Sequence, residues 1–256
     1  MPSLGVAIIT KNAAAHLHEC LTAVAWADKI VILDSGSTDH TLQVAAEHGA
    51  EIHQRADWPG FGIQKNRAIA LLDTDWILAL DADEIVTEEL KVAIQSAIAN
   101  PKHDTYQIRR LSSFCGQWIK YSGWGKDWVA RLFRRDCARY SDDLVHERLI
   151  HATLAQPLAG LLLHYSYDDY ETVLNKINQY SSAGAAQRFA KGQRASLTLA
   201  LLRGGWAFWR TYLLKRGFLD GKAGFLIALM NAETTFYRFI KLQYLTEVSQ
   251  SKQQQY

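Results

Sequence analysis

Apolar residues along this chain follow two rhythms. Short unbroken runs stop abruptly at polar turns: Gly5 to Thr10 stops at Lys11-Asn12, Lys29 to Leu33 at Asp34-Ser35, and Ile77 to Leu80 at Asp81. Such runs predict strands buried on both faces of a parallel sheet. Between them, apolar positions recur at helical spacing. Leu17, Cys20, Leu21 and Val24 predict a helix ending near Trp26, and a second runs from Thr41 to His48, capped by Asp39 and closed by Gly49. Glu51 to His53 reads as a short strand; Ile69, Leu71 and Leu72 belong to a helix entered from the loop at 58–66. Leu90, Ala93, Ile94, Ala97 and Ile98 predict another helix, stopped by Asn100-Pro101. Strand and helix in this alternation imply an α/β fold with right-handed crossovers and ligands bound along the C-terminal edge of the sheet.

From Asp104 the texture changes. Thr105 to Arg109, Val129 to Arg134 and Gly160 to Tyr167 read as strands separated by loops rich in Gly, Trp and Tyr. From Asp169 the pattern is helical almost to the end, and the Gln- and Ser-rich stretch 249–256 predicts a frayed tail. The expected organisation is therefore a domain over 1–168, with halves 1–100 and 101–168, a helical region over 169–248 and the tail. Ala195 to Leu214 has the apolar density of a membrane-touching helix, but Arg203 and Arg210 interrupt it on one face. Together with Trp206, Phe208, Trp209, Tyr212 and the basic Arg194, Lys215, Arg216 and Lys222, this predicts a helix lying in a membrane interface. Phe225 to Tyr244 repeats the pattern with Arg238 and Lys241. A helical hairpin packed on the first domain, or on another subunit of a homo-oligomer, fits the same residues.

Composition narrows the partners. At 256 residues with 48% apolar content the chain is long enough for one large domain and an appendage. A formal net charge of +2 gives no overall pull toward nucleic acid, and none is expected as a partner. Eight Trp and eleven Tyr suit sugar-stacking faces or a membrane interface. Cys20, Cys115 and Cys137 form no Cys-x-x-Cys, which fits a reducing cytosol better than a disulfide frame or zinc site. The start lacks a basic n-region, so no signal peptide is expected, and no run approaches the eighteen apolar residues of a spanning helix.

The chain is organised around the stretch from Trp76 to Glu84, where a strand read as buried ends in three carboxylates, Asp81, Asp83 and Glu84. Like charges this close call for a cation among them, and Asp81 and Asp83 can converge on one hard divalent ion that also carries phosphate oxygens. A solvated acidic turn is the alternative. Lys65 and Asn66 are read at a helix start, where backbone N–H groups favour an anion. Arg131, Arg134 and Arg135 are candidates for gripping a diphosphate or an anionic acceptor. Trp124 and Trp128 either stack on a sugar or anchor their own loop.

Four segments in order, Ile-Ile-Thr-Lys-Asn (8–12), Leu-Asp-Ser-Gly-Ser-Thr-Asp (33–39), Gly-Phe-Gly-Ile-Gln-Lys-Asn (60–66) and Leu-Asp-Ala-Asp-Glu (80–84), resemble family 2 glycosyltransferases of the GT-A fold. Arg-Leu-Phe-Arg-Arg (131–135), Val-His-Glu (145–147), Leu-His-Tyr (163–165) and Arg-Gly-Phe-Leu-Asp-Gly (216–221) look like the bacterial branch that adds glucose to the inner core of lipopolysaccharide. The resemblance implies a GT-A catalytic domain, nucleotide-sugar binding in its first half and acceptor binding in its second, with a helical C-terminal extension. It assigns Thr10, Asn12 and Asp34 to the nucleoside, with Ser35 standing where many relatives have a second acid. Asp83 becomes the direct ligand of Mg²⁺ or Mn²⁺; Asp81 contacts the ribose or the metal's water shell. His164 either completes the shell, which suits Mn²⁺, or is a buried His satisfied by a backbone carbonyl. Glu147 takes the matching position of the general base of an inverting enzyme, with Asp143 in reserve; a salt bridge to Arg148 or Arg131 is the bland alternative for Glu147. The implied reaction uses UDP-glucose and a lipopolysaccharide acceptor at the cytoplasmic face of the bacterial inner membrane. Two further readings stay open: transfer to a polyprenyl phosphate, and a non-catalytic, membrane-recruited sugar-binding protein.

Overall fold

The computed structural model describes residues 2–141, 148–151 and 153–253. Along the chain run β1 (Leu4–Thr10), α1 (Ala14–Val24), β2 (Lys29–Asp34), α2 (Thr41–Glu47), β3 (Glu51–Gln54), α3 (Phe61–Ile69), β4 (Trp76–Asp81), β5 (Glu84–Val86) and α4 (Glu88–Ala99). Then follow β6 (Thr105–Phe114), β7 (Gln117–Trp118), β8 (Asp127–Arg134), β9 (Ala138–Tyr140), β10 (Leu149–His151), β11 (Gln156–Tyr167), α5 (Tyr170–Ala190), α6 (Leu197–Trp209) and α7 (Gly221–Gln253). A π-helical turn, Arg210–Leu214, and a 3-10 turn, Gly217–Asp220, lie between the last two helices. The chain forms two compact units, Met1–Leu111 with Lys126–Tyr165, and Ser112–Gly125 with Ser166–Tyr256.

In the first unit the strand order is β3-β2-β1-β4-β8-β6-β11-β5. The pairs β2–β3, β1–β2 and β1–β4 are parallel, as the strand and helix alternation predicts, and β4–β8, β6–β8 and β5–β11 are antiparallel. All seven residues of β1 are buried because alternate side chains enter cores on opposite faces. Val6 and Ile8 meet Leu17, Cys20, Leu21 and Val24 of α1 and Leu90, Ile94 and Ile98 of α4. Ala7 and Ile9 pack with Val31, Leu33, Ala68, Ile77 and Phe133. Truncating such a residue, Ile8→Ala for example, is expected to cost about 2–5 kcal/mol.

Helix α4 is seated by its entry. Thr87 accepts the Leu90 N–H at its N-cap and donates its hydroxyl to Leu161 O at 2.8 Å. Opposite it, Gly160 holds φ +88°, and a Cβ there would lie 2.4 Å from the Leu90 nitrogen, so only glycine fits.

Several boundaries differ from the sequence expectation. Helix α3 begins at Phe61, so Lys65 and Asn66 lie inside it and not at its start. Asp39 supports α2 from one residue before the N-cap, its Oδ1 accepting the Thr41 N–H at 3.0 Å. Strand β5 went unread because three residues carry no measurable periodicity. At the chain end, the expected frayed tail from Ser249 is helical through Gln253; bonds such as Ser251 Oγ to Glu247 O at 3.0 Å continue the turn.

The second unit has its own cores. Phe114, Ile119, Val173, Ile177, Ala223, Ile227 and Met230 form one, and Ala185, Ala200, Phe239 and Leu242 another. The motif at 216–221 has a structural task in this unit. The buried Asp220 carboxylate accepts the Lys120 N–H at 3.0 Å, the Tyr121 N–H at 3.0 Å and the Ser122 hydroxyl at 2.7 Å. A Cβ on Gly224 would lie 1.8 Å from Gly217 O, so the backbones touch and neither a larger residue nor a looser turn is accommodated.

Candidate active site

Parallel pairing sets the ends of three strands side by side: Thr10 opposite Asp34, and Ile9 opposite Asp81. Two polar clusters grow from this edge. In the first, the buried Asp34 carboxylate accepts the Thr10 hydroxyl at 2.8 Å, the Gly36 N–H at 2.9 Å and the Ser37 N–H at 2.8 Å, and also the Ser37 hydroxyl. Burial alone would raise this carboxyl, but the bonds from Ser37, Thr10 and Gly36 outweigh it and leave Asp34 below the usual carboxylate range. These contacts fill the four acceptor positions of a carboxylate. Asp34 therefore shapes the turn. Asn12, at φ +51°, accepts the Thr38 N–H at 2.8 Å through Oδ1, and Ser35 accepts from the buried Gln64 amide at 3.0 Å. Thr10, Asn12, Asp34 and Ser35 are thus brought together as one preformed loop.

The second cluster surrounds the end of β4. Sequence reasoning expected a cation among the carboxylates, and the protein supplies its own. Lys65 reaches Asp81 Oδ1 at 2.8 Å, and Arg131 Nη2 bridges Asp81 Oδ2 and Glu84 Oε1, the latter at 2.6 Å. Glu84 is fully buried; its Oε2 accepts the Asp81 N–H at 3.0 Å and its Oε1 also meets Arg110 at 3.2 Å. Arg110 is paired in turn with Asp127 at 2.8 Å. Burial opposes the charge on Asp81, but Arg131 and Lys65 hold its carboxyl far below the usual range; Asp81 and Glu84 in turn raise Arg131 well above its own. Asp81 therefore has neighbours other than those expected: its two oxygens are turned to Lys65 and Arg131 instead of converging with Asp83.

A β-bulge aims Arg131. Tyr106 pairs with Leu132 and Gln107 with Ala130, which leaves Arg131 as the extra residue on β8. Its Nε is buried without a hydrogen-bond partner among the described residues, an uncompensated cost beside the paired Nη2.

Asp83 and His164 come together. Strand β5 pairs with β11 so that His164 lies opposite Glu84, and the Tyr165 N–H donates to Asp83 O at 3.0 Å. His164 Nε2 is then 3.5 Å from Asp83 Oδ2, with the two side chains 18% and 39% exposed. His16 stacks on Tyr165 at 4.2 Å and 3°. A carboxylate oxygen and an imidazole nitrogen at this separation fit two adjacent ligands of a divalent cation, which at bond lengths of about 2.1 Å are roughly 3 Å apart. Among the described residues no three His, Cys, Asp or Glu groups converge, so the remaining positions would fall to substrate oxygens and water.

A cavity of about 330 Å³ opens beside this network, lined by Lys65, Asp81, Arg110, Arg131, Tyr140 and Arg148 with Trp128 to Ala130 and Leu149. Trp128, 43% exposed, is among the lining residues. Trp124 does not: it stacks on Tyr167 at 5.8 Å and packs against the core of the second unit. Asn66 also departs from its expected role, since its amide grips the Tyr140 backbone, donating to O at 2.9 Å and accepting from N at 2.8 Å. Arg134 is paired with Asp104 at 3.1 Å and lies over the Trp76 ring, and neither it nor the exposed Arg135 lines the cavity. Glu147 and Asp143 lie outside the described residues. Sequence reasoning missed Glu84 and Arg110 as a pair; the signal was a third acid directly after two others, with no account of what would neutralise it.

The family model for glycosyl transferase family 2 matches residues 5–156, more than half of the chain, and the protein belongs to that family. An uncharacterized glycosyltransferase of Rickettsia prowazekii (strain Madrid E) is 28% identical over 264 residues, covering 98% of this chain and 90% of that protein. The lipopolysaccharide core biosynthesis glycosyltransferase LpsC of Rhizobium meliloti (strain 1021) is 26% identical over 246 residues, covering 93% of this chain and 91% of that one. Among solved structures, S. aureus TarS aligns with a TM-score of 0.44 at 15% identity, over 70% of this chain and 39% of that chain. The mixed sheet flanked by helices is the GT-A fold, followed by a helical C-terminal region, and the protein is a glycosyltransferase, working on a nucleotide-sugar donor and an acceptor.

Proposed function

We propose that this enzyme is an inverting, metal-dependent hexosyltransferase that moves glucose from UDP-glucose to an inner-core heptose of lipopolysaccharide or lipooligosaccharide, at the cytoplasmic face of the bacterial inner membrane. Residues 1–168 form its catalytic domain and 169–248 its membrane-facing or oligomerising region. The observation that carries the reading is the pair Asp83 and His164, 3.5 Å apart in a family 2 domain, with Asp83 two residues beyond Asp81, which lines the cavity together with Lys65, Arg110 and Arg131. The likeness to LpsC, whose name states lipopolysaccharide core biosynthesis, supports the acceptor class.

In this reading Asp83 and His164 hold Mn²⁺ or Mg²⁺, which when bound offsets the charge that develops on the departing diphosphate. Lys65 and Arg131, fixed by Asp81 and Glu84, add positive charge that needs no reorganisation during the reaction. The turn built by Thr10, Asn12, Asp34 and Ser35 receives the nucleoside. Glu147 takes the proton of the acceptor hydroxyl, with Asp143 as the substitute, an assignment that rests on the Val145-His146-Glu147 motif. A polyprenyl-phosphate acceptor is the second reading, favoured by Lys65, Arg110, Arg131 and Arg148 around the cavity.

The test is a panel of nucleotide sugars with Mn²⁺ or Mg²⁺, followed by purified lipid acceptors. Slow release of UDP from UDP-glucose, accelerated by heptose-containing core lipid, is expected. Faster turnover with polyprenyl phosphate moves the acceptor assignment. Donor binding with no nucleoside diphosphate release under any condition points to a non-catalytic sugar-binding protein.

A further inference from the structure

We propose that the outward face of α6 and of the turn that follows it is a docking surface for an anionic lipid bilayer, on which it lies without crossing. This deepens the membrane part of the proposed function and is independent of the transfer chemistry.

The burial of α6 is inverted. Its inward positions are small: Ala200, Gly204 and Ala207, continued by Thr211. The contact with α7 is close, since a Cβ on Gly204 would lie 3.2 Å from Phe236 Cβ and 3.3 Å from Ala232 O. The large apolar residues point the other way: Leu201, Leu202, Trp206, Trp209 and Leu214 are each 55–69% exposed. A helix of a water-soluble domain turns its large apolar face to the core. Small residues toward the neighbouring helix and large ones outward is how helices pack in lipid. The apolar surface extends past the turn through ring contacts, Phe208 to Phe225 at 5.5 Å and Tyr212 to Phe218 at 6.3 Å, with Phe218 and Phe225 both exposed.

Charge selects the occupant. Between residues 191 and 222 there are seven basic side chains and a single acid, Asp220, whose carboxylate is turned inward onto the N–H groups of Lys120 and Tyr121. Arg203 and Arg210 are both exposed, and their seven-residue spacing puts them within about 20° of each other around the helix axis. Aromatic and leucine side chains beside arginines match the apolar and anionic layers of a lipid surface. A second copy of the chain docked through the same face would bring a second excess of positive charge against the first. No described helix is long and apolar enough to cross a membrane, so the face rests at the interface.

The experiment is co-sedimentation of the full chain with phosphatidylcholine vesicles, with and without phosphatidylglycerol, over a salt series, and sedimentation velocity without lipid. The expected result is binding that requires phosphatidylglycerol. R203E/R210E is expected to lower partitioning roughly 10- to 100-fold at low salt and less at high salt. W206A/W209A is expected to lower it about 10-fold at every salt concentration. Circular dichroism checks that both variants keep the fold, and UDP release in lipid-free solution reports on the transfer chemistry separately. Wild-type protein that stays in solution with anionic vesicles in excess overturns the proposal. So does binding that neither double variant weakens. A lipid-free dimer that W206A/W209A dissolves, with no vesicle binding, assigns the face to self-association instead.

Discussion

The end of β4 in the first unit and the outer face of α6 in the second depart from the usual partition of residues in opposite directions. At the former, Glu84, Arg131 and Lys65 are charged and buried, each held by an oppositely charged group at 2.6–3.2 Å. At the latter, Leu202, Trp206 and Trp209 are apolar and exposed, with Gly204 and Ala207 where a core would place them. A buried charge tolerates no missing partner, because desolvation is expensive unless offset. An exposed leucine tolerates it well, because the folded and unfolded chains both leave it in water. The first region should therefore be sensitive to substitution in stability and catalysis alike, and the second sensitive only where something covers it.

The largest expected effect lies beside the buried network. Asp83→Ala should lower transfer by at least about 10³-fold and remove metal-dependent donor binding, read by calorimetry with Mn²⁺, while the melting temperature stays put. Full activity of this variant at ordinary metal concentration removes Asp83 from the site. For Glu147→Gln, turnover is expected to fall about 10²-fold or more with donor affinity retained, since the amide keeps size and hydrogen bonding but accepts no proton. A dead Asp143→Asn beside a nearly normal Glu147→Gln would exchange their roles.

Next in size, Glu84→Gln leaves Arg131 and Arg110 short of a counter-charge and should cost about 3–5 kcal/mol in denaturant unfolding. Asp81 contributes through pH. Its folded carboxyl lies far below the ordinary range, so its stabilisation is complete above the unfolded value near 4 and is lost as pH falls through the folded value. The stability gap between wild type and Asp81→Asn should accordingly stay constant above about pH 5 and narrow progressively as pH falls below about 4. Smallest of all, Trp209→Ala should shift lipid-free stability by no more than about 0.5 kcal/mol. A cost of several kcal/mol there would mean that Trp209 is part of a core, and would erase the contrast between the two regions.

Much of the fold was legible because the signals are local. The unbroken runs in β1, β2 and β4 and the helical spacing in α1 and α4 follow from which side chains avoid water, and each can be read within a dozen residues. The order of motifs at 8–12, 33–39, 60–66 and 80–84 was enough to indicate the family. The roles of individual polar residues were harder. Asn66 read as an anion contact but serves as a clamp on Tyr140, because a side-chain amide shows no preference for ligand over backbone until the backbone that meets it is known. Trp124 and Trp128 looked interchangeable, yet one enters a core and the other lines the cavity.

The sequence by itself determined the alternation of strands and helices, the crowding of acids after β4 and the apolar, arginine-interrupted make-up of the 195–214 stretch, since each depends only on neighbours along the chain. Tertiary structure alone decided who neutralises those acids. Lys65 comes from α3, Arg110 from β6 and Arg131 from β8, where an extra residue in the ladder swings one side chain out of register. A bulge leaves the composition of its strand unchanged, and electrostatic pairing acts over a few ångströms of space regardless of separation in sequence. Lys65 and Arg131 could be read as site residues, but nothing in the linear pattern could have paired them and Arg110, out of the chain's 28 cations, with these acids.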